Sequence, residues 1–174
     1  MRTLDPARTA LVLVDLMERI AALPLAPRPG SEVVATALDL ATAFRAAGAP
    51  VIAIRVERPG VAEQPPGSDL LPEVAALADE VVVKRTIGGF HRTGLHELLQ
   101  ARGVDTLVFG GIATNLGVES TARSAADHGY AAVFVEPAMT ALTEEEHRAS
   151  VALSLPRFGE VVDRSGLSLG RDLG

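Results

Sequence analysis

Six short apolar runs divide the chain and predict a β-sheet. They are rich in β-branched residues, show little alternation with polar residues, and span residues 10–16, 50–56, 80–83, 105–109, 131–135 and 160–163. Runs without alternation are typical of strands that are buried on both faces, as in a parallel sheet. Because helical segments separate most of them, the pattern predicts an α/β domain with a mostly parallel six-stranded sheet.

Helical periodicity fills most of the intervals between these runs. Residues 31–47 carry apolar residues at helical spacing, with Ser31 as the expected N-cap and Gly48 just after the expected end. The segment that begins at Thr143 has the sequence of a capping box, completed by Glu146. Further helices are therefore expected over residues 95–102, 115–128 and 143–155.

The interval between the second and third strands has a different composition. Residues 57–72 are rich in Pro and Gly, which favours a loop over the sheet edge in place of a helix. A lid over a binding site is the alternative interpretation, since loops at the carboxyl ends of strands form the pockets of open α/β sheets.

Length and composition exclude several classes of protein. A chain of 174 residues fits one domain, and its net charge of −6 comes without a basic run, so nucleic acid is not an expected partner. No apolar stretch approaches the roughly 20 residues needed to span a membrane, and the N-terminus does not resemble a signal peptide, which favours a cytoplasmic location. The absence of cysteine excludes a disulfide, a thiolate metal site and a thiol nucleophile.

Two charged residues lie at the predicted carboxyl ends of strands, where ligands bind in such sheets. Asp15 ends the first predicted strand after a series of apolar residues, and Lys84 follows the third apolar run. Taken singly, Asp15 is equally typical of a turn and Lys84 of a surface charge. Together they suggest a buried acid–lysine pair, in which each charge supports ionisation of the other.

A glycine-rich segment, GGIATNLGVES at residues 110–120, links the fourth strand to its helix. Amide groups at the start of that helix could hold an anion, although tight packing of strand against helix would explain the glycines equally well. The glycine spacing matches neither a dinucleotide-binding fingerprint nor a phosphate-binding loop.

Four sequence blocks resemble the isochorismatase-like (cysteine hydrolase) superfamily over nearly the whole chain. They are ALVLVDLM (10–17), VVVKRTIGGF (81–90), FGGIATNLGVESTARSAADHGY (109–130) and EEEHRASVALSLPRFGEVV (144–162). The resemblance implies one domain over residues 1–174 with a Rossmann-like three-layer αβα fold, and a homodimer or higher homo-oligomer. It also implies a catalytic site in which Asp15 and Lys84 match the family's aspartate and lysine, while Gly117 stands in place of the nucleophilic cysteine.

The missing thiol changes the chemistry that the resemblance implies. Amidase members attack a carbonyl with the thiolate, and no atom of Gly117 can do this. True isochorismatases are similar in having glycine there, and they use water and an acidic aspartate without a covalent intermediate. Neither a metal nor a cofactor is expected. The residues expected to bind substrate are Ile112, Ala113, Thr114, Asn115 and Phe90.

Two functional hypotheses follow. The first is a hydrolase acting on a small molecule by water attack, with Asp15 as acid or base and Lys84 as its electrostatic partner. The alternative is a family member that has lost catalysis and serves as a small-molecule binding or interaction protein, in which the same pair is structural. A redox or nucleotide-binding protein is disfavoured because the glycine fingerprint is absent.

Overall fold

The computed structural model describes residues 2–170 and contains a six-stranded parallel sheet. Its strands are β2 (Thr9–Val14), β3 (Val51–Val56), β4 (Glu80–Lys84), β5 (Thr106–Ile112), β6 (Ala131–Thr140) and β7 (Gly159–Val162). They lie in the order β4-β3-β2-β5-β6-β7, and all neighbours are parallel. The predicted α/β fold with six strands is therefore confirmed.

Six α-helices flank the sheet. They are α1 (Glu18–Ala21), α2 (Gly30–Ala46), α3 (Pro72–Leu77), α4 (Leu95–Ala101), α5 (Glu119–Asp127) and α6 (Glu144–Ala149). A π-helical turn, Thr114–Val118, leads from β5 into α5, and a second one, Ser150–Ser154, continues α6. The capping box of Thr143 and Glu146 opens α6 as predicted.

The core has two halves because the sheet is covered on both faces. Every residue of β2 is buried, and successive side chains point to opposite faces. Leu11 and Leu13 pack into the half that contains α2, whereas Val12 and Val14 pack into the half that contains α4 and α5. The unalternated apolar runs of the sequence are a consequence of this two-sided burial.

Three local features differ from the sequence prediction. The helix predicted to begin at Ser31 begins at Gly30 with Pro29 as its N-cap, and Ala21 packs so closely on Gly30 that a Cβ there would lie 2.1 Å from the Ala21 carbonyl oxygen. The interval after β3 ends in the short helix α3, which has Pro at its first position. The chain ends also pair, as strands β1 (Arg2–Leu4) and β8 (Leu167–Leu169) form a separate two-stranded parallel sheet.

The strand order reverses between β2 and β5, and this switch point positions the candidate site. The chain runs from β2 outward to β3 and β4 on one side, and from β5 outward to β6 and β7 on the other. Crevices form at the carboxyl ends of strands at such a point. Asp15 directly follows β2, and the turn that carries Gly117 follows β5.

Candidate active site

Asp15 leaves β2 in a left-handed backbone conformation. Its φ is +54°, a region that aspartate tolerates better than most residues with a side chain. Its amide donates to the carbonyl of Ile54 at 2.8 Å, and its own carbonyl accepts from the amide of Met17 at 2.8 Å. These bonds fix the backbone, so the carboxyl group is held at the end of the strand with only 6% of the residue exposed.

Lys84 reaches Asp15 from the edge of the sheet. The two residues do not stand on neighbouring strands, since β3 lies between β4 and β2. The long lysine side chain spans this gap, and its Nζ lies 2.8 Å from Asp15 Oδ2 and donates to the carbonyl of Ile87 at 2.6 Å. Lys84 is 1% exposed, so the pair forms a buried ion pair.

Gly117 packs directly against this ion pair. A Cβ at Gly117 would lie 3.0 Å from Asp15 Oδ2, 3.0 Å from Lys84 Nζ and 3.0 Å from a methyl group of Val14. Contacts this short are tighter than ordinary van der Waals packing. A side chain at this position would therefore require the ion pair or Val14 to shift by a few tenths of an ångström.

Gly111 explains how β5 comes so close to Asp15. Its φ is +134°, and a Cβ there would lie 2.1 Å from the carbonyl oxygen of Val14. Only glycine fits this close approach of two backbones. The glycine pair in the 110–120 segment therefore serves strand packing, while the Leu116 and Val118 amides of the following turn donate to the Ala113 carbonyl at 3.1 and 3.3 Å.

A cavity of about 410 Å³ opens over the ion pair. Its floor includes Asp15, Lys84 and Gly117, so the structure brings the three predicted catalytic residues together. Its wall is aliphatic and contains no aromatic side chain. The apolar residues that line it are Ile20, Leu23, Val56, Pro59, Ile87, Ile112, Ala113, Leu116 and Leu142.

The carboxyl group of Asp15 has an unusual environment. Burial raises its pKa above the ordinary value, and the nearby charge and hydrogen bond of Lys84 oppose this shift only in part. Oδ2 contacts Lys84, whereas Oδ1 is buried and has no hydrogen-bond partner among the described residues. Asp15 therefore presents one oxygen that can hold a proton.

The predicted substrate-binding residues divide into two groups. Ile112 and Ala113, which a cis peptide bond joins, both line the cavity. Thr114, Asn115 and Phe90 do not line it. Phe90 instead packs into the core half that contains α4 and α5, with its ring centroid 5.1 Å from that of His128 and 5.8 Å from that of Tyr130.

Thr114 belongs to a buried polar network that the sequence interpretation missed. Its hydroxyl lies 3.0 Å from the Thr140 carbonyl, which it can reach as a donor, and 2.8 Å from His147 Nδ1. His147 Nε2 lies 2.9 Å from Glu136 Oε1, and Arg28 makes two hydrogen bonds of 2.8 Å to the same carboxylate. Because the four side chains come from distant segments, the signal that the sequence offers is Glu136, a charged residue inside a largely apolar strand.

The loop of residues 57–72 contributes its first part to the cavity. Glu57, Arg58 and Pro59 line it, whereas Gly67 and Ser68 contact Arg19 near α1. A loop bordering the site is thus present, and its closure as a lid stays a prediction. The neighbouring Arg85 also lines the cavity and contacts Glu57 Oε2 at 2.6 Å.

Residues 2–170 contain neither a metal-binding cluster of side chains nor a membrane-spanning helix. No cluster of three or more histidine, aspartate or glutamate side chains could hold a metal ion within that range. None of the helices described there has the length and apolar character needed to cross a membrane.

Comparison with known proteins gives concordant matches. A family model described as the isochorismatase domain matches residues 9–165. The chain is 39% identical over 180 residues to the isochorismatase family protein YecD of Escherichia coli O157:H7, which covers 92% of this chain and 95% of that protein. The solved structure of an isochorismatase family protein from Burkholderia thailandensis superimposes with a TM-score of 0.82 at 35% identity, covering 95% of each chain.

A shorter match links the chain to an amidohydrolase. It is 44% identical over 86 residues to the ureidoacrylate amidohydrolase RutB of Methylobacterium radiotolerans. The match covers 49% of this chain and 33% of that protein.

Proposed function

Because this chain belongs to the isochorismatase family, whose members are hydrolases, we propose that it hydrolyses a small molecule by attack of water without a covalent intermediate. Asp15 transfers the proton, and Lys84 supplies the charge that balances the carboxylate. Gly117 offers no nucleophilic atom, so no thioester can form at that position.

The buried Oδ1 of Asp15 is the observation that carries this proposal. An oxygen with no hydrogen-bond partner beside a cavity is free to hold a proton and to pass it to a bound molecule. The raised pKa of Asp15 favours the protonated form, which a general acid needs. Lys84 contacts the other oxygen and stabilises the carboxylate that remains after transfer.

The proposed step conserves atoms and charge. Asp15 gives its proton to the substrate while the bond to the leaving group breaks, and water adds its oxygen to the electron-poor carbon. The proton that this water then loses returns to Asp15. The substrate is thereby divided by one water molecule, and the protein is regenerated.

A substrate panel tests this function. Thermal unfolding is measured with isochorismate, chorismate, nicotinamide and N-carbamoyl compounds, since a ligand that binds the folded state raises its stability. Each compound that binds is then assayed for hydrolysis products. The proposal expects turnover of at least one of them, with no covalent adduct in intact-protein mass spectra, and binding without any turnover would contradict it.

The alternative is a binding or interaction protein that has lost catalysis. One observation favours it: Lys84 is already satisfied by Asp15 and by the Ile87 carbonyl, as in a purely structural ion pair. Gly117→Cys discriminates, because a thiol placed beside Lys84 should react rapidly with iodoacetamide. Rapid reaction of this variant, together with an inert wild type across the panel, would support the alternative.

Three wider expectations belong to the same proposal. We propose that residues 1–174 act as a single domain, of which Met1 and residues 171–174 lie outside the described residues. We also propose a cytoplasmic location and a homodimer or higher homo-oligomer. Light scattering at micromolar concentration measures the assembly, and a purely monomeric protein would contradict it.

A further inference from the structure

The buried lysine is not available to bind a charged substrate. Lys84 Nζ contacts Asp15 at 2.8 Å and the Ile87 carbonyl at 2.6 Å, and the residue is 1% exposed. Its charge is therefore balanced, and its remaining hydrogen-bonding capacity is small. An anionic group on a substrate would have to be bound elsewhere in the cavity.

The mouth of the cavity carries an excess of positive charge, although the whole chain has a net charge of −6. Arg58 and Arg85 line the cavity beside Glu57, and the other acidic residue of the lining, Asp15, is paired with Lys84 on the floor. Both oxygens of Glu57 are engaged, Oε1 with Arg55 at 2.8 Å and Oε2 with Arg85 at 2.6 Å. Within residues 2–170, no carboxylate lies within ion-pair distance of the Arg58 guanidinium.

The backbone of Arg58 is held in place by a glutamine of the same loop. Gln64 accepts a hydrogen bond of 2.8 Å from the Arg58 amide and donates one of 3.1 Å to the Arg58 carbonyl. This pairing closes the turn from which the arginine projects. A preorganised position lowers the entropy that a ligand must overcome on binding.

The remainder of the cavity suits an aliphatic group. Four of its lining residues remain partly open at the mouth, with exposed fractions of 42% for Leu23, 61% for Ile87, and 45% for both Leu116 and Leu142. Apolar side chains with this exposure gain free energy when a ligand covers them. With no aromatic side chain in the wall, the site offers no stacking surface for a flat ring.

From these features we infer that the substrate is an aliphatic carboxylate, whose anionic group binds Arg58 at the mouth while its apolar body covers the aliphatic wall. The inference rests on the proposed function of the cavity and adds the class of substrate and a residue that determines specificity. A guanidinium can bind a carboxylate through two parallel hydrogen bonds, and Arg58 is the arginine of the cavity lining that has no carboxylate partner among the described residues. The hydrolysed bond then lies toward Asp15, deeper in the cavity.

A second depression lined by basic side chains is the other place where the anionic group of a ligand could bind. It has a volume of about 320 Å³, shares Pro59 and Arg85 with the main cavity, and is also lined by His91 and Arg92. An anion held there would depend on Arg92 and would not extend to Asp15. Single substitutions of the two arginines therefore separate the two locations.

The test compares a charged and a neutral probe of the same shape. Binding of 4-methylpentanoate and of 4-methylpentanamide is measured by isothermal titration calorimetry for the wild type and for Arg58→Gln. Arg92→Gln tests the neighbouring depression, and Arg157→Gln, at an exposed arginine in the 3-10 turn Leu155–Arg157, is the matched control. 4-Methylpentyl phosphate is included to distinguish a phosphate site from a carboxylate site.

The wild type should bind the carboxylate at least about tenfold more tightly than the amide, as expected for a charge-assisted hydrogen-bond pair. Arg58→Gln should remove this preference, and both Arg92→Gln and Arg157→Gln should retain it. Equal binding of the two probes, no binding of either, tighter binding of the phosphate, or loss of the preference in Arg92→Gln would each overturn the inference.

The result is independent of catalysis. A carboxylate preference without turnover would therefore retain this inference and reject the proposed hydrolysis. Turnover of a neutral amide with no carboxylate preference would do the reverse.

Discussion

At the scale of single residues, the most constrained position of the site is Gly117. Its α-carbon lies where any side chain would press on Asp15, Lys84 and Val14 at once. Two of these neighbours form a buried ion pair, so they cannot move apart without weakening their contact. The glycine thus allows the direct contact between acid and lysine.

Gly117→Ala should lower the free energy of unfolding by about 1–3 kcal/mol, because overpacking of this tight site costs more than the helix propensity of alanine returns. Gly166→Ala is the matched control, since a Cβ there would find its nearest neighbour at an ordinary 3.4 Å. Urea unfolding of both variants measures the difference. A Gly117→Ala protein as stable as the wild type would mean that the ion pair has room to move.

The raised pKa of Asp15 gives turnover a definite dependence on pH. If Asp15 must be protonated to act as the acid, turnover is retained at low pH and falls as the pH rises through this raised pKa. The decline should occur at a higher pH than an ordinary aspartate would produce. A profile of kcat/KM against pH for a panel substrate measures it, and turnover that increases over that range would exclude Asp15 as the proton donor.

At the scale of secondary-structure elements, the polar network ties the turn of Gly117 to the rest of the fold. Thr114 begins the π-helical turn, His147 comes from α6 and Glu136 from β6. Hydrogen bonds from Arg28 and His147 outweigh burial and hold the pKa of Glu136 below its ordinary value. The network therefore keeps a carboxylate ionised between a guanidinium and an imidazole, and it fixes the start of the turn.

Thr114→Val should lower the free energy of unfolding by about 1–3 kcal/mol, because it removes the hydroxyl partner of His147 and of the Thr140 carbonyl while preserving shape. Thr106→Val serves as control at a half-buried position, where a change within about 0.5 kcal/mol is expected. Chemical denaturation of both variants makes the comparison. Equal stabilities would show that the network does not hold the turn.

The sequence predicted the strands of the main sheet but missed other secondary-structure elements. All six strands of the main sheet were predictable, because each contains a run of apolar, mostly β-branched residues with little polar alternation. The pairing of β1 with β8 was not, since three-residue strands that are far apart in sequence leave no periodic signal. The helix start at Gly30 was missed for another reason. Its N-cap, Pro29, makes no side-chain capping hydrogen bond, and the close contact of Gly30 with Ala21 is a tertiary contact.

Some residues of the candidate site could likewise be predicted from the sequence, and others could not. Asp15 and Lys84 could be identified because each follows an apolar strand run, at the edge of a sheet where ligands bind. Phe90 and Thr114 were expected in the cavity from the resemblance alone, and the turn geometry directs them elsewhere. Arg58 could not be identified as a binding residue from the sequence. Its proposed role depends on the ion pairs that Glu57 makes with Arg55 and Arg85, which only the structure reveals.

At the scale of the whole molecule, the topology brings remote segments to one crevice. The reversal of strand order places Asp15 beside the turn after β5, and the edge strand β4 sends Lys84 across the end of β3. The loop after β3 adds a cationic mouth to a chain that is acidic as a whole. The fold thus separates a proton-transfer group on the floor from a charged rim, with an aliphatic wall between them.

Turnover by Asp15→Asn tests the central claim most directly. Asparagine keeps the shape of the side chain but cannot donate a carboxylic proton, so hydrolysis of a panel substrate should fall by about 10²–10⁴-fold. Asp39→Asn, at an exposed position of α2, should leave the rate unchanged, and circular dichroism checks that both variants fold. Turnover by Asp15→Asn equal to that of the wild type would contradict the assignment of Asp15 as the proton donor.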